Sequence, residues 1–137
     1  MSIENVERID GVAQYDLIVI GSGSGNTLIG PEWDDKKVAL IDGGIFGGTC
    51  LNVGCIPTKM YFYPATIAQK TREVKHLGVD AHVDAVHWAQ IRDRIFASRI
   101  DQIVEGGREW RAGLPNVDFY DQYARFVGSH TVELTDG

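Results

Sequence analysis

The segment "YDLIVIGSGSGN" (residues 15–26) strongly limits how this chain can fold. Its first seven residues contain a continuous apolar run rich in β-branched side chains, which is typical of a strand buried on both faces of a parallel sheet. Glycines follow at once, and a brief helix is expected from about Ser24 until Gly30-Pro31 ends it. "KKVALID" (residues 36–42) predicts a second buried strand. The sequence therefore predicts the opening of a βαβ unit.

The glycine turn between the predicted strand and helix favours a dinucleotide pyrophosphate, because unpaired N–H groups and the helix dipole attract anions there. Gly21 permits a tight turn, and Gly23 lets the backbone approach phosphates. Asp42 closes the second strand 19 residues after Gly23, where a carboxylate can accept hydrogen bonds from a ribose hydroxyl. The sixth position of the motif is Asn26 instead of Gly or Ala, which departs from the usual helix–strand contact. A turn that binds nothing stays open as the alternative.

Composition narrows the class of protein. The 137 residues, 44% hydrophobic and 23% charged, suffice for a globular domain with a core. A formal net charge of −6 disfavours binding to nucleic acid or to an anionic membrane surface. No apolar run is long enough to span a bilayer, and the acidic start does not resemble a signal peptide. We therefore expect a cytoplasmic protein, in which purely structural disulfides are disfavoured.

The rest of the chain predicts two helices and a group of strands. One helix is expected from Thr58 to about Lys75, with a bend allowed at Pro64. A second is expected from about residue 84 to 105, because four isoleucines recur on one face: Ile91, Ile95, Ile100 and Ile103. The final segment, "VDFYDQYARFVGSHTVELTDG", predicts paired strands with turns at residues 128–129 and 136–137.

The chain contains two cysteines, Cys50 and Cys55, within "GGTCLNVGCIPTK". In a regular helix this spacing separates the Cα atoms by roughly 8.6 Å, whereas a disulfide needs less than about 7 Å. If the two cysteines pair, the segment cannot be helical throughout, and Gly48 and Gly54 supply the freedom to distort it. A helix N-terminus with Lys59 nearby would lower the pKa of a thiol. A structural bridge, half of a metal site and a redox couple remain as alternatives, although the four scattered histidines disfavour metal.

The same segment resembles the redox-active disulfide motif of the flavin-dependent disulfide reductases, a family that includes glutathione reductase, dihydrolipoamide dehydrogenase and mercuric reductase. The resemblance covers about residues 14–137, behind an expected loose tail of residues 1–13. It implies an α/β, Rossmann-like FAD-binding domain in its incomplete N-terminal part, with a parallel sheet, helices and a hairpin-like C-terminal segment. "GSGSGN" before a short, proline-interrupted helix, together with "VHWAQIRDRIFASRID", most resembles the mycothione-reducing branch.

The resemblance assigns roles to individual residues. It implies that Cys50 attacks the substrate disulfide, that Cys55 faces the flavin, and that Lys59 lies near the flavin ring. It further implies that the glycine turn holds the FAD pyrophosphate and that the other matched positions contact ribose, flavin or adenine. The implied FAD-binding residues are Gly21, Gly23, Ser24, Gly25, Asp42, Gly43, Gly48, Thr49, Cys55, Lys59, Tyr123 and Ala124. No metal ligand is implied.

The activity implied is a two-electron relay in which NADPH reduces FAD, FAD reduces the cysteine pair, and the dithiol reduces a small-molecule disulfide such as mycothione. The NADPH domain, the homodimer interface and a His–Glu acid–base pair would lie outside these residues. We therefore expect the N-terminal part of a longer enzyme, inactive on its own. Two alternatives stay open: a relative that acts on glutathione, dihydrolipoamide or mercuric ion, and a nucleotide-binding module without turnover.

Overall fold

A parallel sheet of three strands is built from β1 (Leu17–Ile20), β2 (Val38–Ile41) and β3 (Val117–Tyr120), in the order β1-β2-β3. These elements come from a computed structural model that describes residues 11–135. The middle strand, β2, is buried along its whole length. Since β1 and β2 are parallel and consecutive, the predicted βαβ opening is confirmed.

The two outer strands differ from the sequence predictions. In β1 only Val19 is buried, and Ile20 is 46% exposed, so the prediction of a strand buried on both faces is wrong for β1. Its position explains this, because among residues 11–135 it pairs with β2 alone. The third strand was expected to pair with the strands that follow it, but β3 instead lies parallel to β2, with Val117 opposite Val38.

An antiparallel hairpin of β4 (Tyr123–Gly128) and β5 (Thr131–Thr135) follows the sheet. The predicted turn at residues 128–129 is confirmed, since the hairpin reverses there. The turn predicted at residues 136–137 and most of the tail predicted for residues 1–13 lie outside the described residues.

The helix expected from Ser24 is present as a 3₁₀ helix, Ser24–Leu28, and Pro31 begins a second short 3₁₀ turn, Pro31–Trp33. A 3₁₀ helix has three residues per turn and rarely runs beyond a few residues. The segment between β1 and β2 therefore contains no long helix.

The described residues divide into two compact units, residues 11–48 with 107–135 and residues 49–106. The first contains both sheets. The helical elements are α1 (Gly48–Asn52), α2 (Cys55–Glu73), a 3₁₀ turn (Val74–Leu77), α3 (Trp88–Ile95), a π-helical segment (Phe96–Ile100) and α4 (Asp101–Ala112). The core of the second unit consists of Leu51, Ile95 and Ile100, with Met60, Tyr61, Ile91, Phe96 and Val104 packed against it.

Helix boundaries depart from the predictions at three ends. The first predicted helix begins at Cys55 instead of Thr58 and continues through Pro64. The second begins at Trp88 and, through its π-helical segment, extends to Ala112. Of its four isoleucines, Ile103 is 46% exposed, so the predicted apolar face is shorter than expected.

Candidate functional site

The two cysteines form a disulfide across a break between two helices. The last residue of α1 is Asn52, and α2 begins at Cys55. The Cα atoms of Cys50 and Cys55 are 4.8 Å apart, which confirms that a paired segment departs from regular helix. A Cβ on Gly54 would lie 2.8 Å from the Thr49 carbonyl oxygen, so only glycine fits where the chain folds back on itself.

The surroundings of the disulfide suit thiol chemistry. Both cysteines are exposed, and Cys55 is the first residue of the 19-residue helix α2. A helix N-terminus stabilises a negative charge, so the fold favours the thiolate of Cys55 once the bridge is reduced. Lys59 lies one helical turn further on, exposed, with its Nζ atom 5.8 Å from the centre of the Phe62 ring.

The glycine turn begins where β1 ends. Gly21 has a φ of +95°, and its N–H donates to the Ile41 carbonyl at 2.7 Å, which fixes the turn at the carboxyl end of the sheet. Gly48 also has a positive φ, +65°, and a Cβ on it would lie 2.7 Å from the Gly23 Cα atom. Two predicted cofactor residues distant in sequence thus meet backbone to backbone. A Cβ on Gly25 would make only an ordinary contact of 3.6 Å with Val19.

Asp42 organises this turn through three hydrogen bonds. Its Oδ2 atom accepts from the backbone N–H of Ser22 at 2.7 Å and from the Ser22 hydroxyl at 2.5 Å, and Oδ1 accepts from the Gly44 N–H at 2.8 Å. Burial raises the pKa of the Asp42 carboxyl, but the hydrogen bonds from Ser22 and Gly44 outweigh it and hold the pKa below its ordinary value. The side chain is therefore a well-bonded carboxylate.

The remaining predicted cofactor residues fall into two groups. In the first unit, the Tyr123 ring packs on Gly43, where a Cβ would lie 2.5 Å from a ring carbon. Ala124 follows in β4 opposite Leu134, and Ser24 begins the 3₁₀ helix. In the second unit, Thr49 is exposed beside Cys50, and its carbonyl accepts a hydrogen bond from Val53.

Sequence reasoning missed two features of the turn. Ser22 is 2% exposed, and its hydroxyl links Asp42 to the Gly47 N–H, which donates at 2.8 Å. Its position inside the glycine motif was the available signal. Arg111 is 5% exposed and donates to Asn26 from a position 85 residues away, where no local pattern marks the pair.

Neither a metal centre nor a membrane span is found within residues 11–135. No group of three or more His, Cys, Asp or Glu side chains there could hold a metal ion. None of the helices in that range combines the length and apolar character needed to cross a bilayer.

Comparison with known proteins points to one group of enzymes. Mycothione reductase from Mycobacterium tuberculosis is 46% identical over 112 residues, covering 82% of this chain and 24% of that protein. Thioredoxin reductase SEP1 from Emiliania huxleyi is 32% identical over 143 residues, covering 90% of this chain and 27% of that protein. Glutathione reductase from Debaryomyces hansenii is 31% identical over 135 residues, covering 93% and 28%. No family model matches the chain.

A solved structure shows the same fold. It is a copper(II) complex of the HOCl-induced flavoprotein disulfide reductase RclA from Escherichia coli, with a TM-score of 0.63 and 26% sequence identity. The match covers 86% of this chain and 24% of that chain. The chain thus spans about a quarter of the length of the relatives it matches.

Proposed function

Because the chain belongs to the flavoprotein disulfide reductases, we propose that it carries the FAD-binding and disulfide-bearing part of an NADPH-dependent oxidoreductase that reduces the disulfide of a low-molecular-weight thiol. The observation that carries the proposal is the exposed Cys50–Cys55 disulfide, whose second cysteine begins a long helix. A purely structural disulfide stays oxidised, so it would not benefit from a helix N-terminus that stabilises the thiolate of the reduced form.

The residues of the first unit fit FAD. A side chain on Gly48 is excluded, because its Cβ would lie 2.7 Å from the Gly23 Cα atom, and this close approach of two glycine backbones suits a pyrophosphate. The Oδ1 atom of Asp42 accepts one hydrogen bond from Gly44, so a carboxylate lone pair is left for a ribose hydroxyl. Tyr123 and Ala124 would lie against the adenine. When bound, FAD supplies electrons in pairs to the disulfide.

The chemistry of the cysteines then follows from their positions. Two electrons break the S–S bond, and two protons make the products equivalent to two thiols. The Cys50 thiolate attacks one sulfur of the substrate disulfide, which forms a mixed disulfide and releases the first product thiolate to take up a proton. The Cys55 thiolate, stabilised at the start of α2, attacks the Cys50 sulfur and restores the bridge. This step releases the second product as a thiolate, which also takes up a proton.

We propose mycothione as the substrate. The support is the 46% identity to mycothione reductase, against 31% and 32% to a glutathione reductase and a thioredoxin reductase. NADPH as the reductant, a homodimeric parent and a cytoplasmic location belong to the same proposal, as the family resemblance implies.

Assays of the full-length protein that carries this sequence test the proposal. We expect a yellow protein whose flavin NADPH reduces, with a kcat/KM for mycothione at least about tenfold above those for glutathione disulfide, lipoamide and Hg²⁺. The same assays with Cys55→Ser control for reduction that bypasses the bridge. Faster turnover of glutathione disulfide than of mycothione would contradict mycothione as the substrate. A protein that binds no flavin would contradict the proposed reductase function as a whole.

A further inference from the structure

Arg111 is a buried cation that the chemistry proposed above does not use. Its side chain is 5% exposed, its Nε atom donates to Asn26 Oδ1 at 2.7 Å, and its Nη2 atom donates to the Asn26 carbonyl at 2.8 Å. The guanidinium carbon lies 4.4 Å from the centre of the Trp110 ring. Among residues 11–135 no carboxylate forms an ion pair with it. An unneutralised buried charge is costly, so its retention calls for a physical reason.

The 3₁₀ helix after the glycine turn is too short to supply much positive potential of its own. It contains five residues, Ser24–Leu28. A long α-helix presents roughly half a positive charge at its N-terminus because many aligned peptide dipoles add, and a helix of this length aligns only a few. The carbonyl that Arg111 binds belongs to Asn26, in the middle of this short helix and next to Gly25.

We propose that Arg111 is a positioning residue for the pyrophosphate, which holds the 3₁₀ helix in place through Asn26 and supplies the positive potential that so short a helix lacks. The inference rests on the proposed function, because it takes a dinucleotide pyrophosphate as the ligand of the turn. It also accounts for the departure of position 26 from Gly or Ala. The amide oxygen of Asn26 is the acceptor that fixes the guanidinium, and neither replacement offers one.

The test compares two ligands, one with the pyrophosphate and one without it. It thereby distinguishes an effect of the Arg111 charge on the phosphates from a general disturbance of the binding site. The full-length protein is freed of FAD, and the affinities of ADP and adenosine are measured by competition with FAD. We expect Arg111→Met to reduce the preference for ADP over adenosine about tenfold, the effect of one partly screened unit charge, and to leave adenosine affinity unchanged. Arg111→Lys, which keeps the charge, should retain most of the preference.

A matched control lies on the same helix. Arg108 is exposed and paired with Asp121, so Arg108→Met makes the same change in net charge and should leave the preference unchanged. Asn26→Ala removes one of the two hydrogen bonds to Arg111 and should lower the preference by about threefold; it also serves as the test if Arg111→Met fails to fold. An unchanged preference for ADP over adenosine in Arg111→Met and Asn26→Ala, including one that results from equal losses of both affinities, would overturn the inference. Failure of the unmutated protein to bind FAD would instead reject the proposed function on which it rests.

Discussion

At the scale of single residues, Asp42 holds the glycine turn together and is also the proposed partner of the cofactor ribose. Its place at the end of the second strand could be predicted from the sequence, because an acid about 20 residues after the turn is part of the dinucleotide pattern. Its three hydrogen bonds to Ser22 and Gly44 could not be predicted, since they depend on how the loop after β2 folds back. Most of its hydrogen-bonding capacity therefore holds the turn itself.

The depressed pKa of Asp42 predicts a pH-dependent contribution to stability. A carboxyl whose folded pKa lies below its unfolded value of about 3.9 stabilises the fold above that value, and the contribution is lost as the pH falls through the folded pKa. We expect Asp42→Asn to lower the thermal midpoint by several degrees near pH 7. The difference in midpoint between the unmutated protein and the variant should become smaller as the pH falls from about 5 to about 3. Thermal unfolding over this range is the measurement. Asp34→Asn, which removes an exposed carboxylate, controls for the change in net charge. A midpoint difference between the unmutated protein and Asp42→Asn that stays constant with pH would contradict the depressed pKa of Asp42.

At the scale of elements, the π-helical segment Phe96–Ile100 explains an irregular spacing of apolar residues. Ile95 and Ile100 are both buried in one core although five residues apart, a step that would carry them to different faces of a regular α-helix. The π turn, closed by the hydrogen bond from the Asp101 N–H to the Phe96 carbonyl, absorbs the extra residue. The sequence predicted the helix but not this turn, because periodicity alone does not reveal an inserted residue.

Deletion of one residue tests this account. Removing Ala97 should convert the π turn into regular α-helix and leave Ile95 and Ile100 four residues apart on one face. We expect the thermal midpoint to change by less than about 3 °C. Removing Gln102 instead rotates the following residues by about 100°, which takes Val104 away from the core, and should lower the midpoint by more than about 8 °C. Similar decreases of the thermal midpoint in the two deletion variants would contradict the interpretation of the π turn as one extra residue in the helix.

At the scale of the whole molecule, features set by residues close in sequence could be predicted, whereas contacts between residues distant in sequence were missed. The parallel β1–β2 pair, the break between the cysteines and the hairpin all follow from short patterns of glycine, proline and apolar residues. The placement of β3 in the parallel sheet and the bond between Arg111 and Asn26 join segments separated by about 80 residues. Such contacts depend on how the chain packs, which a single sequence does not encode in any local motif.

The central claim is that the Cys50–Cys55 disulfide passes electrons to the substrate, and a Cys50→Ser variant of the full-length protein tests it most directly. In one anaerobic sample, flavin reduction by NADPH is followed by absorbance and mycothione reduction by the appearance of thiol. Because Cys50 should face the substrate and not the flavin, we predict that NADPH still reduces the flavin while mycothione reduction falls by at least about a thousandfold. Retained turnover of mycothione in Cys50→Ser would contradict the account.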